Sequence, residues 1–449
     1  MLTRFASLLL AATALAPTSA NAAPASQAVL ATPDQLTAER RALKAIQDPR
    51  VQASIKRARA ALATDPAAAT EEGKASLDHA LTLWLHSLAL REAASDTSRP
   101  IVVWEVDDTP HSWFGHTIPG SGVAGDNPDN IYRGTYLDGG SRYEIRGHVP
   151  HNGPAQFSLE GVVGEPGKIV LTTLGKGHVD MGNQLRLIRD VDVTLDANQD
   201  FVVTVDGDPA NGRPNHIQTR PGPLSVVLRN SLSDWKQTPT TFTVRRLDGK
   251  PAGPVLTDDA LAQHIADDLP GWVDAWTKFK EGWLGSPPAN TLAGPLPRDG
   301  GWGFAAGGQY DLKDDEALII TTRDGGAKYT GFQVLDRWFM AADSRHAFTS
   351  LNNGQVKPNP DGTITYVVAL KDPGVANWID PAGFHQGFVN IRWQQTPANV
   401  DAKSLLVETK LVKLSELGKS VPDVGSVTSA QRASQLRERA KTYESRLVN

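Results

Sequence analysis

The 449-residue chain contains no cysteine, which excludes disulfides, thiolate catalysis, cysteine-ligated zinc and a lipoprotein anchor. It also lacks a basic block: the formal net charge is -5, with acids and bases interspersed, so nucleic acid is not an expected partner. Beyond the N-terminus no apolar run approaches the roughly 20 residues of a membrane helix. Catalytic signatures are equally scarce. Ser231 and Ser350 have no Gly-x-Ser-x-Gly context, GGWGFAAGGQ does not form a dinucleotide fingerprint, and the acidic run DANQDFVVTVDGDPANGRPN lacks calcium-loop spacing. A cysteine-free chain of this length must be held by its apolar core.

What is present begins with an export signal. Arg4 supplies a positive charge, Phe5 to Leu15 an apolar stretch and Ala20-Asn21-Ala22 a small-x-small cleavage site. The expectation is a signal peptide over residues 1–22, a mature chain from Ala23, a periplasmic or secreted location, and no stable membrane insertion after cleavage.

The remaining grammar is helical, then β, then helical, then β. Residues 23–98 are rich in helix formers, and Thr70-Glu71-Glu72 reads as a helix start. Residues 99–256 carry short alternating runs such as IVVWEV, YRGTYL, KIVLTTL and LSVVLRN, the pattern of a first antiparallel sandwich. Residues 257–285 regain helical spacing, with Pro270 predicted to divide them into two helices. Their stripe of Trp272, Trp276, Phe279 and Trp283 is expected to pack on a sheet. A second sandwich is expected over residues 286–415 and a charged surface helix over residues 416–449. The predicted class is mainly β, with two jelly-roll-like sandwiches and helical segments before and between them.

Side chains able to bind or react concentrate near the C-terminus. Asp372 and Asp380 flank a turn containing Asn377 and Trp378, so the carboxylates are candidate acid and base and the indole a stacking surface. The same residues equally suit a turn with a tryptophan plug. Arg392 is a candidate partner for either aspartate or for an anionic substrate group, Trp393 beside it a second candidate stacking surface, and Asn377 a candidate for orienting the substrate. Tyr329, Gln333, Asn352 and Gln355 offer neutral hydrogen bonds to a ligand, or to turn backbone. A separate metal candidate is the run Asp107, Asp108, His111 and His116, with His148, His151, His178 and Asp180 as further ligands. Pro110, Gly115 and Pro119 predict a loop there. In GDNPDN, Asp126, Asn127, Asp129 and Asn130 read as turn formers or a pocket edge, followed by Tyr132 and Arg133.

The ordered elements YDLKDDEALIITTR, YTGFQVLDRW, TSLNNGQ, DPGVANWIDPAG and IRW resemble the domain of unknown function 1214 family, and the likeness extends upstream through GDNPDNIYRGTYLDGGSRYEIRG and LRNSLSDW. The resemblance implies a jelly-roll-like double sandwich and no particular substrate. Together with 11 tryptophans, the residues favour an exported hydrolase or lyase acting on a carbohydrate or other hydroxylated ring compound. The alternatives are a non-catalytic glycan- or partner-binding envelope protein and a metal enzyme using the Asp107 to His116 loop; otherwise no cofactor is expected.

Overall fold

The computed structural model describes residues 29–169, 183–283, 287–421 and 424–447. The expected leader, His178, Asp180, most of KIVLTTL and the Trp283 side chain lie outside this description.

Three helices open the fold: α1 (Pro33–Ile46), α2 (Pro49–Leu62) and α3 (Glu71–Ala93). Thr32, Asp48 and Thr70 cap them by accepting the amides of Gln35 at 3.1 Å, Arg50 at 2.8 Å and Gly73 at 3.0 Å. From Leu83 to Leu90 every residue of α3 is buried, because α1, α2 and the later α4 (Asp258–Trp283) pack around it. The expected break at Pro270 does not occur, since α4 is one continuous helix. Proline removes the amide that would reach the Ala266 carbonyl. The Ser54 hydroxyl of α2 donates to that carbonyl instead, at 2.8 Å. The aromatic stripe packs mainly against helices, with Trp272, Trp276 and Phe279 in edge contact with one another.

The first β portion contains β1 (Val103–Val106), β2 (His111–Trp113), β3 (His116–Ile118), β4 (Asn130–Asp138), β5 (Tyr143–His148), β6 (Gln156–Val163), β7 (Gln184–Arg189), β8 (Asp200–Asp206), β9 (His216–Gln218), β10 (Pro223–Ser231) and β11 (Thr241–Arg246). A five-stranded sheet β1-β4-β10-β6-β7 stacks on a four-stranded sheet β11-β5-β8-β9 across a core that includes Phe157, Leu159, Val203 and Leu228.

After α4 come β12 (Ala293–Arg298), β13 (Gly303–Asp311), β14 (Glu316–Thr322), β15 (Tyr329–Leu335), β16 (Ser350–Asn352), β17 (Ile364–Val368), β18 (Trp378–Ile379), β19 (Gln386–Gln394) and β20 (Leu406–Lys413). Their sheets, β12-β13-β19-β15-β16 and β18-β17-β14-β20, repeat the first pair strand for strand. Even the parallel pair β8/β9 has its counterpart in β17/β18. The molecule is therefore mainly β, a double antiparallel sandwich of jelly-roll-like layers with helices before and between its repeats.

The registers align the repeats residue by residue. β4 pairs β10 from Asn130–Ser231 to Asp138–Pro223, and β13 pairs β19 from Gly303–Gln394 to Asp311–Gln386. Arg229 and Arg392 thus hold the same position, as do Glu160 and Gln333 on β6 and β15. The Ser231 hydroxyl donates to the Gln394 side-chain oxygen at 2.9 Å. Equivalent residues that touch mark the approximate twofold axis, so the two five-stranded sheets face each other.

The C-terminal segment, α5 (Leu417–Ser420) and α6 (Ser429–Glu444), is more than a surface helix. Its face bearing Arg432, Arg439 and Tyr443, continued by Arg446, is buried. Arg439 donates to the Ser350 hydroxyl at 2.9 Å and lies over Trp235, and the Tyr443 hydroxyl donates to Asp107. The stripe spans both repeats.

Candidate functional site

Strand alternation builds a cleft between the facing sheets. Leu224, Val226 and Leu228 point into the first core, leaving Ser225, Val227 and Arg229 on the cleft wall. Arg298 and Arg392 enter from the second repeat, Arg91 from α3, and Trp276 and Phe279 from α4. The partly open cleft has a volume of about 190 Å³.

Asp126 reaches this cleft on the turn before β4 and is 6 % exposed. It accepts the Val123 amide at 2.5 Å. Asp108 lies beside it: one of its oxygens accepts the Ala341 amide at 2.7 Å and the other meets no protein donor, so that a proton on Asp108 is what joins the two carboxyls. Burial raises both carboxyls, and the adjacent charge raises Asp108 well above its usual range. For Asp126 burial is partly offset by the Val123 amide, the Asp108 hydrogen bond and the charges of Arg392 and Arg91, leaving it pushed up to about 6. Asp108 therefore retains a proton while Asp126 ionises first. A carboxylate with that affinity in this cleft suits proton transfer near neutral pH.

The surrounding cations differ in how they are satisfied. Arg91 pairs with Glu105 at 2.6 Å and lies 5.0 Å over Trp272. Burial pushes the Glu105 carboxyl up, against the Arg91 charge and a hydrogen bond from Tyr136. Arg392 donates to the Gly125 carbonyl at 2.6 Å and to Gln333 at 3.2 Å. Arg229 lies over Trp302 at 4.3 Å and over Tyr132 at 5.0 Å. It meets no hydrogen-bond acceptor among the described residues, and its Nε is enclosed.

Of the residues singled out in the sequence, one group converges on the turn that carries Asp126. Gln333 donates to the carbonyls of Gly125 and Asp126 at 3.2 and 2.9 Å. Tyr329 donates to Asp129 at 2.7 Å, as Asn352 does at 2.9 Å, and Gln355 accepts the Asn352 amide at 3.1 Å. None of these four lines the cleft; of the site candidates singled out, Asp126, Tyr132 and Arg392 do.

The DPGVANWID loop lies elsewhere. Asp372 accepts the Gly374 amide at 2.8 Å and pairs with Arg432 at 2.9 Å, while Asp380 accepts the Ala382 amide at 2.8 Å. Burial, then the Asp372 charge, raises Asp380 against the Ala382 bond. Arg392 bonds to the turn of the first repeat rather than to either aspartate, because its strand position faces the junction. Asn377 ties Lys357 to Thr365 through backbone bonds, Trp378 donates to the Ala369 carbonyl at 2.8 Å, and Trp393 is a core residue donating to the Arg323 carbonyl at 2.8 Å. Among these, turn and core uses prevail over a shared ligand face.

Within the Asp107 to His116 run, the part from His111 onward is the β2/β3 hairpin, not an irregular loop. Phe114 and Gly115 turn it at φ 47° and 87°. His111 and His116 both meet fully buried Glu39 of α1, at 3.4 Å for His111, and Glu39 also accepts Trp113 at 2.7 Å and Gln35 at 2.9 Å. Asp107 and Asp108 bond elsewhere, to Tyr443 and Asp126. His148 meets Asp200 at 2.8 Å, and His151 is exposed in a turn. Among the described residues no cluster of three or more His, Asp or Glu is arranged to hold a metal. Likewise, no described helix is long and apolar enough to cross a membrane.

Sequence reasoning missed Arg91, Glu105, Arg229 and Trp302. GDNPDN signalled the region as a pocket edge, and Arg392 was already a candidate for an anionic substrate group.

No family model and no curated protein matches the chain. Among solved structures, an uncharacterized protein from Burkholderia cenocepacia is 21% identical, with 83% of this chain and 99% of that one aligned at a TM-score of 0.66. The VPA0106 protein from Vibrio parahaemolyticus is 11% identical over 64% of this chain and 90% of its own, with a TM-score of 0.37. The Burkholderia likeness is one of fold: this chain shares the architecture of that uncharacterized protein.

Proposed function

We propose that the chain is an exported enzyme, a hydrolase or lyase acting on a hydroxylated ring compound, and that its site is the cleft between the sandwiches. The observation that carries this reading is the placement of Asp126, a buried carboxylate lining the cleft beside the Asp108 carboxyl, where burial pushes both carboxyls up. Asp126 takes a proton from water or from the substrate, and Asp108 stabilises its charged form. This assignment replaces Asp372 and Asp380 as acid and base. A concave site lined by carboxylates favours catalysis over the flat aromatic platform of a glycan binder. The export signal expected over residues 1–22 supports an envelope setting but names no substrate. Turnover of a panel of glycosides, uronates and hydroxylated aromatic compounds by wild type and Asp126→Asn tests the reading; equal turnover by the two would sink it.

A further inference from the structure

The approximate twofold axis makes a comparison within one molecule. Arg229 and Arg392 occupy equivalent strand positions and line the same cleft. The turns before β4 and β13 are equivalent too, and each approaches the opposite repeat's arginine. On one side Arg392 is held by the Gly125 carbonyl at 2.6 Å. On the other Trp302 lies against Arg229 and offers a ring face instead of an oxygen.

The rings orient Arg229 without neutralising it. Tyr132 is fixed by the Asn130 amide at 2.8 Å, and Arg298 lies 5.3 Å over the same Trp302. Glu160, the cleft acid opposite neighbouring Val227, accepts Gln184 at 2.6 Å. A guanidinium so placed retains a donor fork for a planar anionic group.

We propose that Arg229 binds the carboxylate of the ring compound that enters this cleft, so that the protein selects ring acids over their uncharged counterparts. The carboxylate belongs to a sugar acid or to an aromatic acid. This inference rests on the cleft being the site, not on Asp126 performing the chemistry.

The test measures binding of glucuronate against glucose, and of 4-hydroxybenzoate against phenol, to the full chain by calorimetry. Wild type is expected to prefer at least one acid roughly tenfold or more, the scale of a charge-assisted pair. Arg229→Gln should abolish that preference and Arg229→Lys should keep part of it, with unliganded melting curves confirming that both fold. Preference for glucuronate alone identifies the sugar-acid source, and preference for 4-hydroxybenzoate alone the aromatic one. No preference in wild type, or one that survives in Arg229→Gln, overturns the proposal. If Asp126→Asn turns over substrate like wild type while the preference still depends on Arg229, the catalytic assignment fails and this one stands.

Discussion

Gln333 donates to the backbone carbonyl of Asp126 at 2.9 Å, so a strand of the second repeat holds the turn that presents the cleft carboxylate of the first. Because Gln333 is also bonded by Arg392 at 3.2 Å, the repeats share one polar junction.

Gln333→Leu should leave the Gly125 and Asp126 carbonyls and part of Arg392 unsatisfied. The expected loss is about 1–3 kcal/mol in urea unfolding, accompanied by weaker ligand binding. A stability loss with unaltered binding would separate the junction from the site.

Catalysis should follow the ionisation of Asp126, pushed up to about 6 mainly by burial. Turnover is expected to rise with pH through that region, since the base works ionised. Asp108→Ala removes a hydrogen bond that favours the ionised form and should shift the rising limb upward, whereas Asp108→Asn retains a donor and should shift it less. A pH–rate profile indifferent to both variants contradicts the pairing.

Stability carries the opposite sign. The folded Asp126 lies above the unfolded value of 3.8, so its contribution is full below about pH 4 and is lost as pH rises through about 6. Asp126→Asn should therefore gain stability relative to wild type between pH 4 and pH 8, on the order of 1–3 kcal/mol. Chemical denaturation at the two pH values measures the difference.

Asp372→Asn is expected to leave turnover unchanged and to cost about 1–3 kcal/mol, because it removes the charge facing the buried Arg432 guanidinium, which keeps the Val375 carbonyl. A large loss of turnover with intact folding would restore that loop as a candidate site.

Glu39→Gln should destabilise the protein by on the order of 3 kcal/mol, since a buried carboxylate with several donors is replaced by an amide. Burial pushes Glu39 up, but hydrogen bonds from His111, Gln35, His116 and Trp113 hold it below its usual value. Its stabilisation is thus present above the ordinary glutamate range and lost as pH falls through the lowered one. Acid unfolding of the variant should be correspondingly less steep.

Much of the architecture is legible from local rules. Thr70 announces its helix because a hydroxyl satisfies a free amide there. Leu224, Val226 and Leu228 announce a strand with one buried face because neighbouring side chains alternate. Pro270 misleads by the same local logic, since the Ser54 hydroxyl that relieves it lies on another helix.

The sequence by itself determined helix and strand periodicity, the absence of cysteine chemistry and the roster of polar residues near the junction. Only the tertiary structure decided that Asp126 meets Asp108, that Gln333 and Arg392 support their turn, and that Arg229 lacks the carbonyl its twin has. The last two outcomes depend on two sheets related by an approximate twofold axis, which brings the Gly125-Asp126 turn to Gln333 and Arg392, more than two hundred positions away. No local pattern encodes such proximity, because it arises from packing two complete repeats face to face.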